Sequence, residues 1–360
     1  MNQLRTVIDL EAIQHNIEQI RGTLSPGVRL MAVLKADAYN HGAVQVARSV
    51  RGIDAIGVAT LDEAIELRLA GVDKPILAWL WTPHGPVEEA LAAGIELAVP
   101  SLQHLKYLVE AQIPAKICFK VETGMHRSGI EERLWERAFE LARQAQHLSV
   151  TGVMSHCACA DEPTHPANGE QKAAFERAIS VGREMGFALP CNHLANSAAT
   201  LVNPDLHYDQ VRVGLALYGL DPLPGDWNLH PAMSWQADVI SVKPVAPGDS
   251  VSYGYTHTFD RHGFVGLIPA GYADGVPRAA QGKLEVTIGG RRYQQVGRVC
   301  MDQIVVDLGD NPQAVAPGDT AIIMGAGGMG AEDLADRLGT ISYEVACLPK
   351  GRTVREYRES

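Results

Sequence analysis

Between residues 29 and 219 short apolar runs alternate with stretches in which apolar residues recur every three or four positions. Eight runs read as strands: 29–36 (RLMAVLKA), 54–59 (DAIGVA), 75–80 (PILAWL), 95–100 (IELAVP), 115–122 (AKICFKVE), 149–156 (SVTGVMSH), 190–196 (PCNHLAN) and 210–217 (QVRVGLAL). Between the second and third, DEAIELRLAGV at 62–72 has helical spacing and a closing glycine. Strict alternation of strand and helix predicts parallel strands with right-handed crossovers. Eight such units in this length predict an α/β (β/α)8 TIM-type barrel, with a doubly wound sheet as the competitor. After residue 221 the texture changes. DPLPGDWNLHP is a Pro-rich linker, and short β-like runs with turn signals follow, such as KLEVTIGGRRYQQVGRV and DTAIIMG. The pattern divides the chain into a barrel over 1–228 and a mostly β domain over 229–360. The opening RTVIDL is free to pair with the latter.

Composition narrows the partners. Of 360 residues, 46% are hydrophobic and 20% charged, enough apolar surface for a core. The net charge of −11 argues against nucleic acid or an anionic membrane as partner. Residues 187–204 carry no formal charge, but Pro190, Asn192, His193, Asn196 and Ser197 break them as a membrane span. The start, MNQLRTVIDLEAIQ, has no basic segment followed by an apolar one, which predicts a cytoplasmic chain with six reduced cysteines.

In such a barrel, chemistry sits at the C-terminal ends of the strands. Lys35 and Tyr39 end the first run; Lys120 and then Arg127 follow from the fifth. His156 ends the sixth, Asn196 and Ser197 the seventh, and Arg212 precedes Gly214 and Leu215 on the eighth. A lysine inside MAVLKADA is the most informative of these. A buried ammonium must be paired, neutral or covalently used, unless the strand end simply reaches solvent.

These segments resemble the alanine racemase family of pyridoxal phosphate enzymes. AVLKADAYNHG is similar to its cofactor-lysine signature, and ETGMHRSG, TGVMSHCACAD, LANSAATL, VRVGLALYG, VSYGYT, IPAGYADG, VGRVCMDQ and ISYEV follow in family order across nearly the whole chain. The resemblance implies that Lys35 binds pyridoxal 5'-phosphate covalently and acts as a base on one face of the substrate. It implies that Tyr253 acts on the other face from a partner subunit, which makes the protein a homodimer with shared sites. Tyr39, Asn196, Ser197, Gly214 and Leu215 correspond to phosphate-binding positions, and His156 to a residue beside the pyridine ring. Arg212 corresponds to the residue facing the pyridine nitrogen. A fixed cation there disfavours a protonated ring, whereas the related decarboxylases place a carboxylate. Arg127 and Met301 correspond to substrate-carboxylate contacts, and Lys120 to a lysine that many members carry as a carbamate; its plain alternative is an ion pair with an acid such as Glu122. Tyr272, Asp302 and Arg298 correspond to the entry passage. The implied activity is interconversion of L- and D-alanine, supplying D-alanine for peptidoglycan. A serine or broad-specificity racemase is its near neighbour, and a decarboxylase or a non-catalytic cofactor carrier the reading of another class.

Three features stand apart. The family often has a further phosphate-contacting tyrosine after the YEV motif; ungapped counting puts Gly351 there, with Tyr343 and Tyr357 as substitutes. GAGGMG at 325–330 fits a dinucleotide fingerprint, but the chain remaining after it is too short for the rest of that domain, so a hairpin loop is expected. His156, Cys157 and Cys159 lack a second ligand pair at zinc spacing, so no metal is expected.

Overall fold

A computed structural model of the chain describes residues 3–358. Strand β1 (Leu4–Asp9) leads into helix α1 (Leu10–Thr23), whose first turn is capped by the Asp9 carboxylate accepting from the Ala12 amide. The barrel strands follow: β2 (Arg29–Val33), β3 (Ala55–Val58), β4 (Ile76–Ala78), β5 (Glu96–Val99), β6 (Ala115–Lys120), β7 (Leu148–Met154) and β8 (Gln210–Val213). They form a parallel sheet in the order β7-β6-β5-β4-β3-β2-β8. The helix expected over 62–72 spans Leu61–Leu69 and is closed by Thr60 and Glu63, each side chain holding the other's backbone amide.

The regular sheet has seven strands, not the eight expected. The run at 190–196 fills the gap between β7 and β8 as irregular backbone. Cys191 N donates to Thr151 O and His193 N to Val153 O on one side; Arg212 N donates to Ala195 O on the other. The side chain of Asn192 disrupts the ladder by taking backbone roles itself. Its Oδ1 accepts from Val153 N at 3.1 Å, and its Nδ2 donates to Leu189 O. Gly152 permits this approach, because a methyl group there would collide with Cys191 O. The barrel is thus TIM-type, with its eighth position held partly by side chains.

The remaining strands are β9 (Met233–Asp238), β10 (Ser241–Val245), the short ribbon β11 (Ser250–Val251) and β12 (His257–Thr258), β13 (Gly263–Ile268), β14 (Glu285–Ile288), β15 (Arg291–Val296), β16 (Ile304–Gly309), β17 (Thr320–Gly325) and β18 (Val354–Arg358). Apart from the ribbon they join one sheet that also takes in β1, antiparallel to β9 and parallel to β18. The β domain therefore contains both ends of the described chain. Ile8 of β1 and Trp235 of β9 are fully buried in its core. GAGGMG is not a hairpin: it leads from β17 into the helix Ala331–Leu338, and β17 has only antiparallel neighbours. A dinucleotide fold needs parallel ones.

Candidate active site

The C-terminal ends of the barrel strands enclose a cavity of about 480 Å³. Of the residues singled out in the sequence, Lys35, Tyr39, Lys120, Arg127, His156, Asn196, Ser197, Arg212 and Gly214 line it. Leu215 is buried directly behind Gly214.

Lys35 follows β2 and opens an unusual turn. Ala36, Asp37, Ala38, Tyr39 and Asn40 all have positive φ, between 53° and 68°. Successive residues in the left-handed region are costly for side chains with a Cβ, so surrounding bonds must hold them. Glu63 Oε1 accepts from Ala36 N at 2.7 Å, and Asp37 Oδ1 accepts from Ala43 N at 2.7 Å. His41 Nδ1 donates to the carbonyls of Ala38 and Tyr39 at 3.0 and 2.9 Å. The turn sets Lys35 Nζ 5.7 Å from the centre of the Tyr39 ring. Burial, then the charge of Arg127, lowers the Lys35 pKa from its usual value and favours the neutral amine.

Arg212 is wholly buried without a carboxylate. Nη1 donates to His193 O at 2.8 Å, and Nη2 donates to Ser155 O at 2.5 Å and to Leu194 O at 3.2 Å. Its Nη2 also lies 3.3 Å from His156 Nδ1. Burial first, then Arg212, holds the His156 pKa well below its usual range, so the ring is neutral. Lys120 is 7% exposed and forms no ion pair among the described residues. Glu122 instead accepts from the Gly124 amide at 2.6 Å. Burial, then Arg127 and Arg212, lowers the Lys120 pKa to about 8. The salt-bridged reading of Lys120 is thereby corrected. Four basic side chains, Lys35, Lys120, Arg127 and Arg212, share one cavity, and Asp161 is a carboxylate on its wall. Such a pocket is built for anions.

Ser197 Oγ accepts from Gly214 N at 3.0 Å and from Ala216 N at 3.5 Å. A methyl group on Gly214 would collide with the Tyr39 hydroxyl, so only glycine lets these groups converge. Asn196 caps the helix Ser197–Val202 through the Ala199 amide.

The remaining predicted residues lie elsewhere. Tyr253 is 72% exposed and Met301 53%. With Tyr272, Arg298 and Asp302 they belong to adjoining loops of the β domain and do not line the Lys35 cavity. Ser252 Oγ donates to Arg298 O at 2.8 Å, Tyr272 N to Cys300 O at 3.0 Å, and Arg352 bridges Asp302 and the fully buried Asp274.

The whole chain bears comparison with known proteins. The alanine racemase N-terminal domain model matches residues 8–222 and its C-terminal domain model residues 232–357. The chain belongs to the alanine racemase family. It acts as an alanine racemase, an isomerase. It is 51% identical to an alanine racemase of Corynebacterium efficiens over 99% of both chains. It is 44% identical to one of Mycobacterium avium over 98% of this chain and 95% of that one. Among solved structures, alanine racemase of Corynebacterium glutamicum matches with a TM-score of 0.91 and 47% identity, covering 99% of this chain and 100% of that one. That of Streptomyces coelicolor matches with a TM-score of 0.95 and 39% identity, covering 100% and 99%.

Within this family frame, several cavity residues escaped the sequence reading. Glu63, seen in the sequence only as part of the helical stretch 62–72, holds the Lys35 turn without itself lining the cavity. Trp79, Met125 and Asp161 line the wall. Tyr343 lines it with its ring 6.0 Å from that of Tyr39, whereas Gly42 packs against the Tyr357 hydroxyl away from the cavity. Among the described residues no cluster of metal ligands is present, and no helix is long and apolar enough to cross a membrane.

Proposed function

We propose that the barrel mouth binds pyridoxal phosphate through Lys35 and that the racemisation of alanine runs by exchange of the Cα proton through Lys35 on one face and Tyr253 of a second copy on the other. The observation carrying this reading is a half-buried lysine with a lowered pKa beside an anion cradle and a buried arginine that no carboxylate neutralises.

The residues present fit the cofactor. Ser197, the Gly214 amide and the Tyr39 hydroxyl suit a phosphate, and Tyr343 supplies the hydroxyl missing at Gly351. When bound, pyridoxal phosphate supplies an electron-withdrawing ring that acidifies the Cα–H of an amino acid joined to it. Arg212 keeps its charge and discourages a proton on the neighbouring ring nitrogen, which favours simple proton return over transamination. Arg127 offers its guanidinium to the substrate carboxylate. Lys35 takes or returns a proton at Nζ, a task its lowered pKa suits.

Lys120 needs a negative charge to offset its neighbours. An amine with a pKa of about 8 has enough neutral form to add carbon dioxide, and the resulting carbamate would orient Arg127. Tyr253 lies exposed outside the cavity of its own chain, so the second face is completed by a homodimer, with Met301 approaching the substrate beside it.

Chiral chromatography after incubating the cofactor-loaded protein with a panel of L-amino acids tests the reading. D-alanine should accumulate to equimolarity and Lys35→Ala should abolish it. Carbon dioxide release from basic amino acids, or a Lys35→Ala protein that still racemises, sinks it.

A further inference from the structure

A second cavity lies away from the barrel mouth. It measures about 680 Å³ between α1, the β17 end and the start of the helix Ala331–Leu338. One wall is the GAGGMG loop. Gly325 (φ 94°) packs so closely on Met233 O that no side chain fits, which keeps the loop flat against β9 and the cavity open. The lining inverts the electrostatics of the barrel mouth. It includes the carboxylates of Asp9, Glu11 and Glu332 and, among the described residues, no lysine or arginine. Three carboxylates with no lysine or arginine, beside the histidines His15 and His230, disfavour a phosphate here, and the antiparallel neighbours of β17 already rule out a dinucleotide fold. Met233, Met324 and Ala331 give it an apolar floor.

His41 is the second observation. It is 1% exposed and lines this cavity. Its Nδ1–H is spent on the carbonyls of Ala38 and Tyr39, which leaves Nε2 as an acceptor without a partner among the described residues. An N–H donor in the cavity would be received there.

We propose that this interdomain cavity is a second binding site, taking a small organic cation with an apolar body whose charge faces Glu332 and whose N–H is received by His41 Nε2. Acceptor and carboxylates ask for the same chemistry from independent sides. The position also matters. His41 holds the Lys35 turn and stacks on Tyr218 at 4.4 Å, and Tyr218 donates to Val33 O on β2.

N,N-Dimethylbenzylammonium is a suitable probe, because a tertiary amine keeps one N–H yet cannot condense with an aldehyde cofactor. Calorimetric titration of the cofactor-loaded protein should show saturable binding, one per chain, with a Kd of low-millimolar order or tighter. Glu332→Gln keeps an acceptor for the Asp221 amide, now held at 3.2 Å, and so should preserve the thermal transition. It should weaken binding about fivefold or more by removing one partly buried charge. Ala331→Trp should fill the cavity and abolish binding. Phenylacetate should not bind there. Equal binding of phenylacetate, no saturation, indifference to Glu332→Gln, or displacement of the cation by saturating alanine would each overturn the proposal. The titration reads binding and not turnover, so it stands apart from the racemase reading.

Discussion

The barrel mouth and the loop cluster around Tyr253 are opposite kinds of site. In the barrel, Lys35, Lys120 and Arg212 are desolvated and repel one another, and burial is the leading cause that lowers each pKa. Their positions are fixed by a left-handed turn, by carbonyls and by a crowded glycine. The Tyr253 cluster is fixed in backbone but exposed in side chain, with Tyr253 and Tyr255 72% and 74% open to solvent. One region stores charge that water no longer screens, whereas the other is a rigid plug with nothing yet to plug. On the proposed reading, function lies in how two copies of the chain combine them.

That difference can be broken most directly by mixing variants. Tyr253→Phe should lower turnover by roughly 10²-fold or more, the worth of a positioned acid–base group, and should hurt proton abstraction from L-alanine more than from D-alanine. Lys35→Ala should be inactive. If each site takes Lys35 from one copy and Tyr253 from the other, a hybrid dimer regains one intact site. Equal mixing with subunit exchange should then restore about a quarter of wild-type activity. A mixture that stays inactive would show that Tyr253 serves its own chain, or no chain.

Next in size is the cradle itself. Gly214→Ala sets a methyl group against the Tyr39 hydroxyl. Loss of cofactor affinity of about tenfold is expected by absorbance titration, with little change in the β domain. Unchanged affinity would place the phosphate elsewhere. Lys120→Met should follow with a severalfold fall in kcat/KM, and a carbamate carbon labelled from ¹³C-bicarbonate should be visible by NMR in the wild type and absent from the variant.

How the two regions read from sequence differed for a physical reason. Barrel residues were legible because a polar side chain ending an apolar strand is conspicuous, as with Lys35 after MAVL and Arg212 within QVRV. The strand at 190–196 was misread because Asn192 bonds through its side chain, which apolar patterning cannot reveal. Glu63 read only as part of a helical stretch; it caps that helix, and its other oxygen holds Ala36. Periodicity does not show that a cap faces another element. Tyr253 and Met301 carried no signal beyond resemblance, because loops on a β domain follow no period. Tyr343 lines the cavity and Tyr357 does not, a difference that only the folded chain reveals.

The smallest effect sharpens the contrast from the side of stability. The barrel buries His41, His156 and His193 with their pKa values lowered, chiefly by desolvation; that of His41 falls to about 4. Unfolded, each titrates near the usual 6.5, so between those values the unfolded chain binds more protons than the folded one. Stability from these residues is complete above about pH 6.5 and is lost as pH falls towards 4, at roughly 1.4 kcal/mol per unit for each histidine. In the β domain His262 is exposed and His257 only partly covered. Acid should therefore loosen the barrel first. Hydrogen exchange at pH 4.5 against pH 7 should show barrel-strand amides losing protection while β13 and β16 keep theirs. Protection lost first in β13 and β16 would mean that the buried histidines do not set the acid limit of this fold.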